Sequence, residues 1–79
     1  DQAMRQAILE KIAAAIDCNC DFAELAAHTE GFSGSDLRMM MKEAVISALM
    51  EDRRHLDAAD IERGLLRVEE RNVIRDTGY

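Results

Sequence analysis

The 79-residue sequence contains no proline and no tryptophan, and it has only one tyrosine, two phenylalanines and four glycines. Proline and glycine are the residues that most disfavour helix interiors, so their scarcity leaves long segments free to be helical. β-branched residues are few and scattered, which is unfavourable for a sheet. Because 48% of the residues are hydrophobic, the chain is not a low-hydrophobicity disordered segment. We therefore predict an all-α fold.

The length allows one small domain with a thin core, and we treat residues 1–79 as that domain. Apolar residues spaced three and four apart predict a four-helix bundle, with helices near 2–16, 22–29, 34–51 and 58–74. Three of the helix starts carry capping-box spacing, in which a capping residue is followed three positions later by an acid. These pairs are Asp21 with Glu24, Ser33 with Asp36, and Asp57 with Asp60.

Basic residues are in the minority, with 10 Lys and Arg against 16 Asp and Glu and a net charge of −6. A chain this acidic lacks a general phosphate-binding surface, so we predict no nucleic-acid partner. No apolar run reaches the roughly 18 residues of a membrane span, and the start does not have the layout of a secretory signal. We predict neither a membrane span nor secretion.

Cys18 and Cys20 are the only cysteines, and one residue separates them. This spacing rarely suits disulfide geometry, and small secreted domains usually carry several bridges. We therefore predict two reduced thiols and a cytoplasmic location.

Metal sites have little support. Zinc at Cys18, Cys20 and His28 would have three ligands without the usual spacing. The segment from Asp17 to Asp21 imitates the opening of a calcium-binding loop, but Phe22 stands where that loop needs glycine. We predict no metal site.

Catalytic groups are also missing. The chain has no glycine-rich phosphate loop, and nothing in it places a nucleophile beside a base and an orienting group. We predict no catalytic residue, and we expect that these 79 residues alone are not an enzyme.

Gly34 stands out because it falls in the first turn of the third predicted helix, where glycine costs about 1 kcal/mol relative to alanine. One explanation is a tight turn that packs against the first helix. The other is a ligand that approaches the helix end closely, where free N–H groups and the helix dipole favour an anionic or polar group. The residue pattern alone leaves both open.

Residues 29–37 read TEGFSGSDL, and the pair EA follows at 43–44. This resembles the pattern T-x-G-[FYA]-[ST]-G-[AS]-D-L, with a later E-A, of the C-terminal lid subdomain of AAA ATPases. That clade includes the proteasomal ATPases, the valosin-containing proteins and the membrane-protein extractors. Further segments resemble the family in the same order: RQAIL at 5–9, DFAELA at 21–26, and LDAADI at 56–61 with Leu65 after it.

The resemblance implies a four-helix lid that covers the adenine side of bound ATP. Ile8 matches the residue that packs on the base, with Ile12 one turn on, and Gly34 and Ser35 match the small pair beside the base and ribose. It also implies that the parent is an ATPase using ATP with magnesium, whereas the isolated lid lacks the phosphate-binding and hydrolytic groups and is not expected to hold a cofactor.

The implied partners are an α/β nucleotide-binding domain of the same chain, neighbouring subunits of a homo-oligomeric ring, expected to be a hexamer, and a protein substrate that is remodelled or unfolded. An alternative from a different class is a free-standing helical module that binds partner proteins through exposed Met and Ile side chains.

A row of arginines recurs every four residues near the end of the chain, at Arg63, Arg67, Arg71 and Arg75. Two interpretations stay open: compensation by acids of the same helix, such as Asp60, Glu69 and Glu70, or contact with an acidic face of a neighbouring subunit. Met39, Ile46 and Met50 similarly either complete the core or dock on another domain of the parent.

Overall fold

The four predicted helices are present in the computed structural model, which describes residues 1–76 and, for Arg75 and Asp76, the backbone only. The elements in chain order are α1 (Gln2–Ala13), β1 (Asp17–Cys18), α2 (Phe22–Ala27), α3 (Gly34–Met50), β2 (His55–Leu56) and α4 (Ala58–Asp76). The prediction of an all-α, lid-type four-helix fold is therefore confirmed. Residues 77–79 lie outside the described part.

Two very short strands depart from the sequence prediction. β1 and β2 pair in parallel, with Asp17 opposite His55 and Cys18 opposite Leu56. The first helix accordingly ends at Ala13 and not near residue 16, because the chain has to turn and extend before it reaches β1. This ladder ties the α1–α2 connector to the α3–α4 connector.

The helix starts follow the capping chemistry of the sequence. The Asp21 carboxylate accepts a hydrogen bond from the Glu24 N–H at 3.1 Å, which begins α2. Asp1 caps α1 in the same way through the Met4 N–H at 2.8 Å, a cap that the sequence analysis did not identify. Gly31 has a φ of +85°, so it takes the left-handed conformation that suits glycine between α2 and α3.

The core collects apolar side chains from all four helices and from β2: Leu9, Ala13, Ala26, Leu37, Met40, Met41, Ala44, Ala48, Leu56, Ile61 and Val68. Met4 on α1 and Leu49 on α3 lie outside this core, since Met4 is 63% exposed and Leu49 is 59% exposed. The shortest dimension of the molecule is 16 Å, little more than one helix diameter. Helix ends at the margin of so thin a body have no second layer to cover them.

The largest interface joins α3 and α4. At Gly64 the two helices come so close that an added Cβ would lie 2.2 Å from the Met40 carbonyl oxygen. Only glycine fits at this contact. Met39 packs against the core, whereas Ile46 and Met50 remain exposed on α3.

None of the helices described has both the length and the hydropathy needed to cross a bilayer.

Candidate functional site

The N-terminal end of α3 is built by a complete capping box. The Ser33 hydroxyl accepts the Asp36 N–H at 3.1 Å, and the Asp36 carboxylate accepts the Ser33 N–H at 3.0 Å. The N–H groups at the start of a helix have no partners inside the helix, and this box satisfies those of Ser33 and Asp36. The N–H groups of Gly34 and Ser35 have no acceptor within residues 1–76. They form a polar helix end that remains able to bind a ligand.

The space beside Gly34 is open. A Cβ built at this position meets no atom within 4 Å in the described part of the chain. Close contact with the first helix at this position therefore does not account for the glycine. Ser35 is exposed, and Gly34 is half-buried.

Ile8 and Ile12 lie one turn apart on α1, which packs against both α2 and α3. Both side chains are half-buried against the core, while Leu9 between them is fully buried. Neither isoleucine comes within 4 Å of the position that a Gly34 Cβ would take. The four predicted residues therefore lie on two helices that pack against each other, but Ile8 and Ile12 do not contact the position beside Gly34.

Two residues of the resembling segments have structural roles that sequence reasoning did not assign. The Arg5 guanidinium donates from Nε and Nη2 to the Ala26 carbonyl at 3.1 and 2.8 Å, so it holds α1 against the last turn of α2. The buried Thr29 hydroxyl lies 3.1 Å from the Leu25 carbonyl and 3.2 Å from the Ala26 carbonyl. The last carbonyls of a helix have no partners inside the helix and need other donors. That requirement was the signal from which the roles of Arg5 and Thr29 could have been predicted.

Cys18 and Cys20 form a disulfide, and the prediction of two reduced thiols is wrong. Cys18 lies in β1, where it pairs with Leu56, and Cys20 immediately precedes the Asp21 cap of α2. The two Cα atoms are 5.7 Å apart, inside the range of about 4.4–6.8 Å that a disulfide needs. The spacing in the sequence alone did not show this distance.

Because the two sulfurs are joined in a disulfide, neither is a thiolate that could bind zinc. His28 is exposed at the end of α2. Within the residues described, no group of three or more His, Cys, Asp or Glu side chains is arranged to hold a metal ion.

A buried carboxylate organises the start of α4. Asp60 is fully buried, and the Arg53 guanidinium donates to its two oxygens at 2.7 and 2.9 Å. The Ser47 hydroxyl donates at 2.8 Å and the Asp57 N–H at 2.9 Å. Arg53 holds the pKa of Asp60 well below its usual range, against the opposing effect of burial. Sequence reasoning identified Asp60 only as part of a cap.

The arginine row of α4 mostly faces α3. Arg63 pairs with Asp60, as the same-helix interpretation predicts, but it also donates to the Ser47 hydroxyl at 2.7 Å. Arg67 lies 3.9 Å from Glu43, and Arg71 forms an ion pair with Asp36. Neither interpretation of the sequence anticipated these pairs between helices. The Arg75 side chain lies outside the described part.

The Arg71–Asp36 pair connects α4 to the capping box of α3. Burial by itself raises the pKa of Asp36, but the hydrogen bonds with Ser33 and the Arg71 charge outweigh it, so the net pKa lies below its ordinary value. Asp36 is therefore an anion that holds both the helix cap and the neighbouring helix.

A groove of about 500 Å³ lies between α2 and the first half of α4. We call it the α2–α4 groove. Its apolar floor includes Leu25, Ile61 and Leu65, and its rim carries Asp21, Glu24 and Glu62. None of the four residues predicted to bind nucleotide lines it.

Comparison with known proteins identifies the family. Residues 19–63 match the AAA+ lid domain, which is more than half of the chain. The sequence is 36% identical to the ATP-dependent zinc metalloprotease FtsH 2 of Symbiobacterium thermophilum over 53 residues, which is 67% of this chain and 9% of that protein. It is also 36% identical to the ATP-dependent zinc metalloprotease FtsH of Mycoplasmopsis synoviae over 52 residues, which is 66% of this chain and 8% of that protein.

The chain thus spans less than a tenth of the length of either relative. The matched region includes the cap and first turns of α3 and the buried start of α4, the two features that organise the helix contacts described above. The resemblance that the sequence motifs indicated is confirmed, and the chain belongs to the AAA+ lid domain family.

Proposed function

We propose that residues 1–79 form the C-terminal lid subdomain of an ATP-hydrolysing AAA protein and cover the adenine side of its bound nucleotide. The observation that carries this proposal is the α3 end, where two N–H groups have no acceptor in the described chain and the space beside Gly34 is open. The family match supports it, and so does the similarity to two ATP-dependent zinc metalloproteases.

In this proposal Gly34 and Ser35 provide backbone donors to the base and ribose, and the absence of a Cβ at Gly34 allows the ligand to approach. A helix N-terminus favours polar or anionic groups because its dipole is positive at that end. Ile8 and Ile12 offer the apolar surface on which the base packs, since both are only half-buried. ATP with magnesium supplies the phosphoryl chemistry, and the groups that act on it belong to the rest of the parent.

The proposed mechanical role is to transmit the nucleotide state as a rotation of the lid, for the remodelling or unfolding of a protein substrate. Such a role needs a rigid body. The buried Asp60 network and the ladder between β1 and β2 provide that rigidity by tying both connectors to the helices.

The proposed partners are the α/β nucleotide-binding domain of the same chain and neighbouring subunits of a hexameric ring. Ile46 and Met50 on α3 are exposed apolar side chains that suit such a contact. We also propose a cytoplasmic location, which rests on the family alone because Cys18 and Cys20 are not reduced thiols.

The test is Gly34→Leu in the full-length protein that carries this chain, with Ala59→Leu as a control that introduces the same side chain at an exposed position of α4. We expect the Gly34 variant to bind a fluorescent ATP analogue about tenfold more weakly, a loss of roughly 1.4 kcal/mol. The control is expected to bind normally.

Circular dichroism of each variant of the 79-residue chain checks the fold separately. Since an added Cβ at Gly34 meets nothing within 4 Å, the helical signal is expected to be retained. Unchanged ATP affinity in the Gly34 variant would contradict the proposed site.

A further inference from the structure

The α2–α4 groove has an apolar floor under an acidic rim. Ile61 is buried, and Leu25 and Leu65 are half-buried, so the floor offers apolar surface that no side chain of the described residues fully covers. The groove lies apart from the α3 end that we assign to nucleotide, and its residues have no part in that site. A groove of about 500 Å³ is in the size range of protein ligand sites, roughly 300–1,000 Å³.

Two of the rim carboxylates have no partner among the residues described. Glu24 and Glu62 are exposed, and neither side chain has an ion pair or hydrogen bond within residues 1–76. Asp21 uses one carboxylate oxygen to cap α2 and carries a third negative charge. Among the described residues that line the groove, His28 is the only one with a basic side chain.

The distribution of charge around α4 explains why the groove stays acidic. The basic flank of this helix is directed to α3, where Arg63 contacts Ser47, Arg67 contacts Glu43 and Arg71 contacts Asp36. The flank that faces α2 keeps Glu62 without a compensating arginine. The resulting field favours a cationic partner over an anionic one.

Several occupants are disfavoured by charge. A second copy of this chain would bring another net charge of −6, and nucleic acid or an anionic membrane surface would meet the rim carboxylates with like charge. The occupant that fits has an apolar stripe for the floor and positive charges for the rim.

The length of the walls fixes the size of that occupant. α2 has six residues and the α4 wall covers residues 58–65, so at 1.5 Å per residue they extend about 9 and 12 Å. Both walls are helices separated by an apolar cleft, an arrangement that accepts a third helix with anchors at positions i, i+3 or i+4, and i+7.

We propose that the α2–α4 groove is a docking site for a short amphipathic helix of another protein, two to three turns long, whose apolar stripe is flanked by lysine or arginine. Leu25, Ile61 and Leu65 receive the stripe, and Asp21, Glu24 and Glu62 pair with the flanking cations. This interaction does not depend on bound nucleotide.

The probe is a fluorescently labelled leucine–lysine peptide of about 14 residues, with leucines at helical spacing, and its matched control replaces every lysine by glutamate. Binding to the 79-residue chain is followed by fluorescence anisotropy, and amide shifts in NMR spectra locate the contact. We expect the lysine peptide to bind, with shifts concentrated at 19–28 and 58–65, and the glutamate peptide not to bind.

The double variant Glu24→Gln/Glu62→Gln is expected to bind the lysine peptide about three- to tenfold more weakly, since each exposed ion pair contributes modestly. Glu10→Gln/Glu70→Gln makes the same charge change at exposed positions outside the groove and is expected to bind normally. All four changes are on exposed side chains, so the fold is expected to be retained.

Equal losses in both double variants would show non-specific attraction to an acidic protein and would overturn the proposal. So would absence of binding, shifts centred on the exposed α3 residues Ile46 and Leu49, or sedimentation showing that the chain associates with itself through the groove. Each of these outcomes leaves the nucleotide proposal intact, because that proposal is tested separately at Gly34.

Discussion

Glycine occupies two helical positions in this chain whose surroundings are opposite. At Gly34 an added Cβ meets nothing, whereas at Gly64 it would collide with the Met40 carbonyl oxygen at 2.2 Å. The same residue type therefore has two functions: at Gly34 it leaves room for a ligand outside the fold, and at Gly64 it permits close contact between two helices. The sequence drew attention to Gly34 through its motif, but nothing in the spacing marked Gly64.

We predict that Gly64→Ala lowers the free energy of unfolding by about 1–3 kcal/mol, because the backbone of α3 has to move away from the new methyl group. Intrinsic helix propensity alone predicts the opposite, a gain of up to about 1 kcal/mol. Urea denaturation followed by circular dichroism measures the change.

Gly34→Ala is the matched comparison and is expected to leave the unfolding free energy unchanged or slightly raised, by less than about 1 kcal/mol. If both variants proved equally stable, the close approach of α3 and α4 at Gly64 would be wrong.

At the scale of the elements, α3 and α4 are joined by apolar packing and by three arginines of very different environment. The side chain of Arg71 is 34% exposed and reaches an Asp36 side chain that is 4% exposed. The side chain of Arg67 is 65% exposed and lies 3.9 Å from Glu43. Regular spacing in the sequence made these arginines look equivalent, but burial of the partner decides how much each one contributes.

We predict that Arg71→Met destabilises the chain by about 1–2 kcal/mol, since it leaves the buried Asp36 carboxylate with fewer donors. Hydrogen exchange is expected to show the loss at the first turn of α3, because Asp36 also closes the capping box there. Arg67→Met, which removes an exposed pair, is expected to change stability by less than about 0.5 kcal/mol. Equal effects of the two variants would contradict this ranking.

For the whole molecule, the two buried carboxylates set the response to acid. The pKa values of Asp36 and Asp60 lie below the ordinary value of 3.8 in the folded chain. Once the pH falls below about 4, the unfolded chain takes up protons at these sites that the folded chain resists. Their stabilising contribution is therefore fully present above that pH and is lost as the pH falls towards the depressed pKa values.

We predict that the unfolding free energy is nearly constant between about pH 7 and pH 5 with respect to these two groups, and falls below about pH 4 by up to about 1.4 kcal/mol per pH unit for each group. Asp60→Asn is expected to be less stable at neutral pH by roughly 2–3 kcal/mol, and to show a shallower fall in acid, because one of the two titrating groups is gone. Urea titrations across this pH range measure both. An unchanged acid slope in the variant would show that Asp60 does not titrate as described.

The sequence by itself determined the number of helices, the caps that begin α2 and α3, and the family. These features depend on residues close together in the chain, where spacing and side-chain chemistry act directly. The predicted positions of Gly34 and Ser35 at a polar helix end followed from the same local logic, and their role in binding nucleotide remains a proposal.

Only the tertiary structure decided the disulfide between Cys18 and Cys20, the pairing of β1 with β2, the contact at Gly64 and the burial of Asp60 under Arg53. The strand pairing and the Gly64 contact join segments distant in sequence, whereas the disulfide and the Arg53–Asp60 contact depend on the path of the connectors between helices. Periodicity within one helix encodes neither. The acidic groove has the same origin, because α2 and α4 contribute its walls from opposite halves of the chain. Local sequence patterns determined where the helices form. The packing of a thin core determined which helix faces contact each other and which remain exposed.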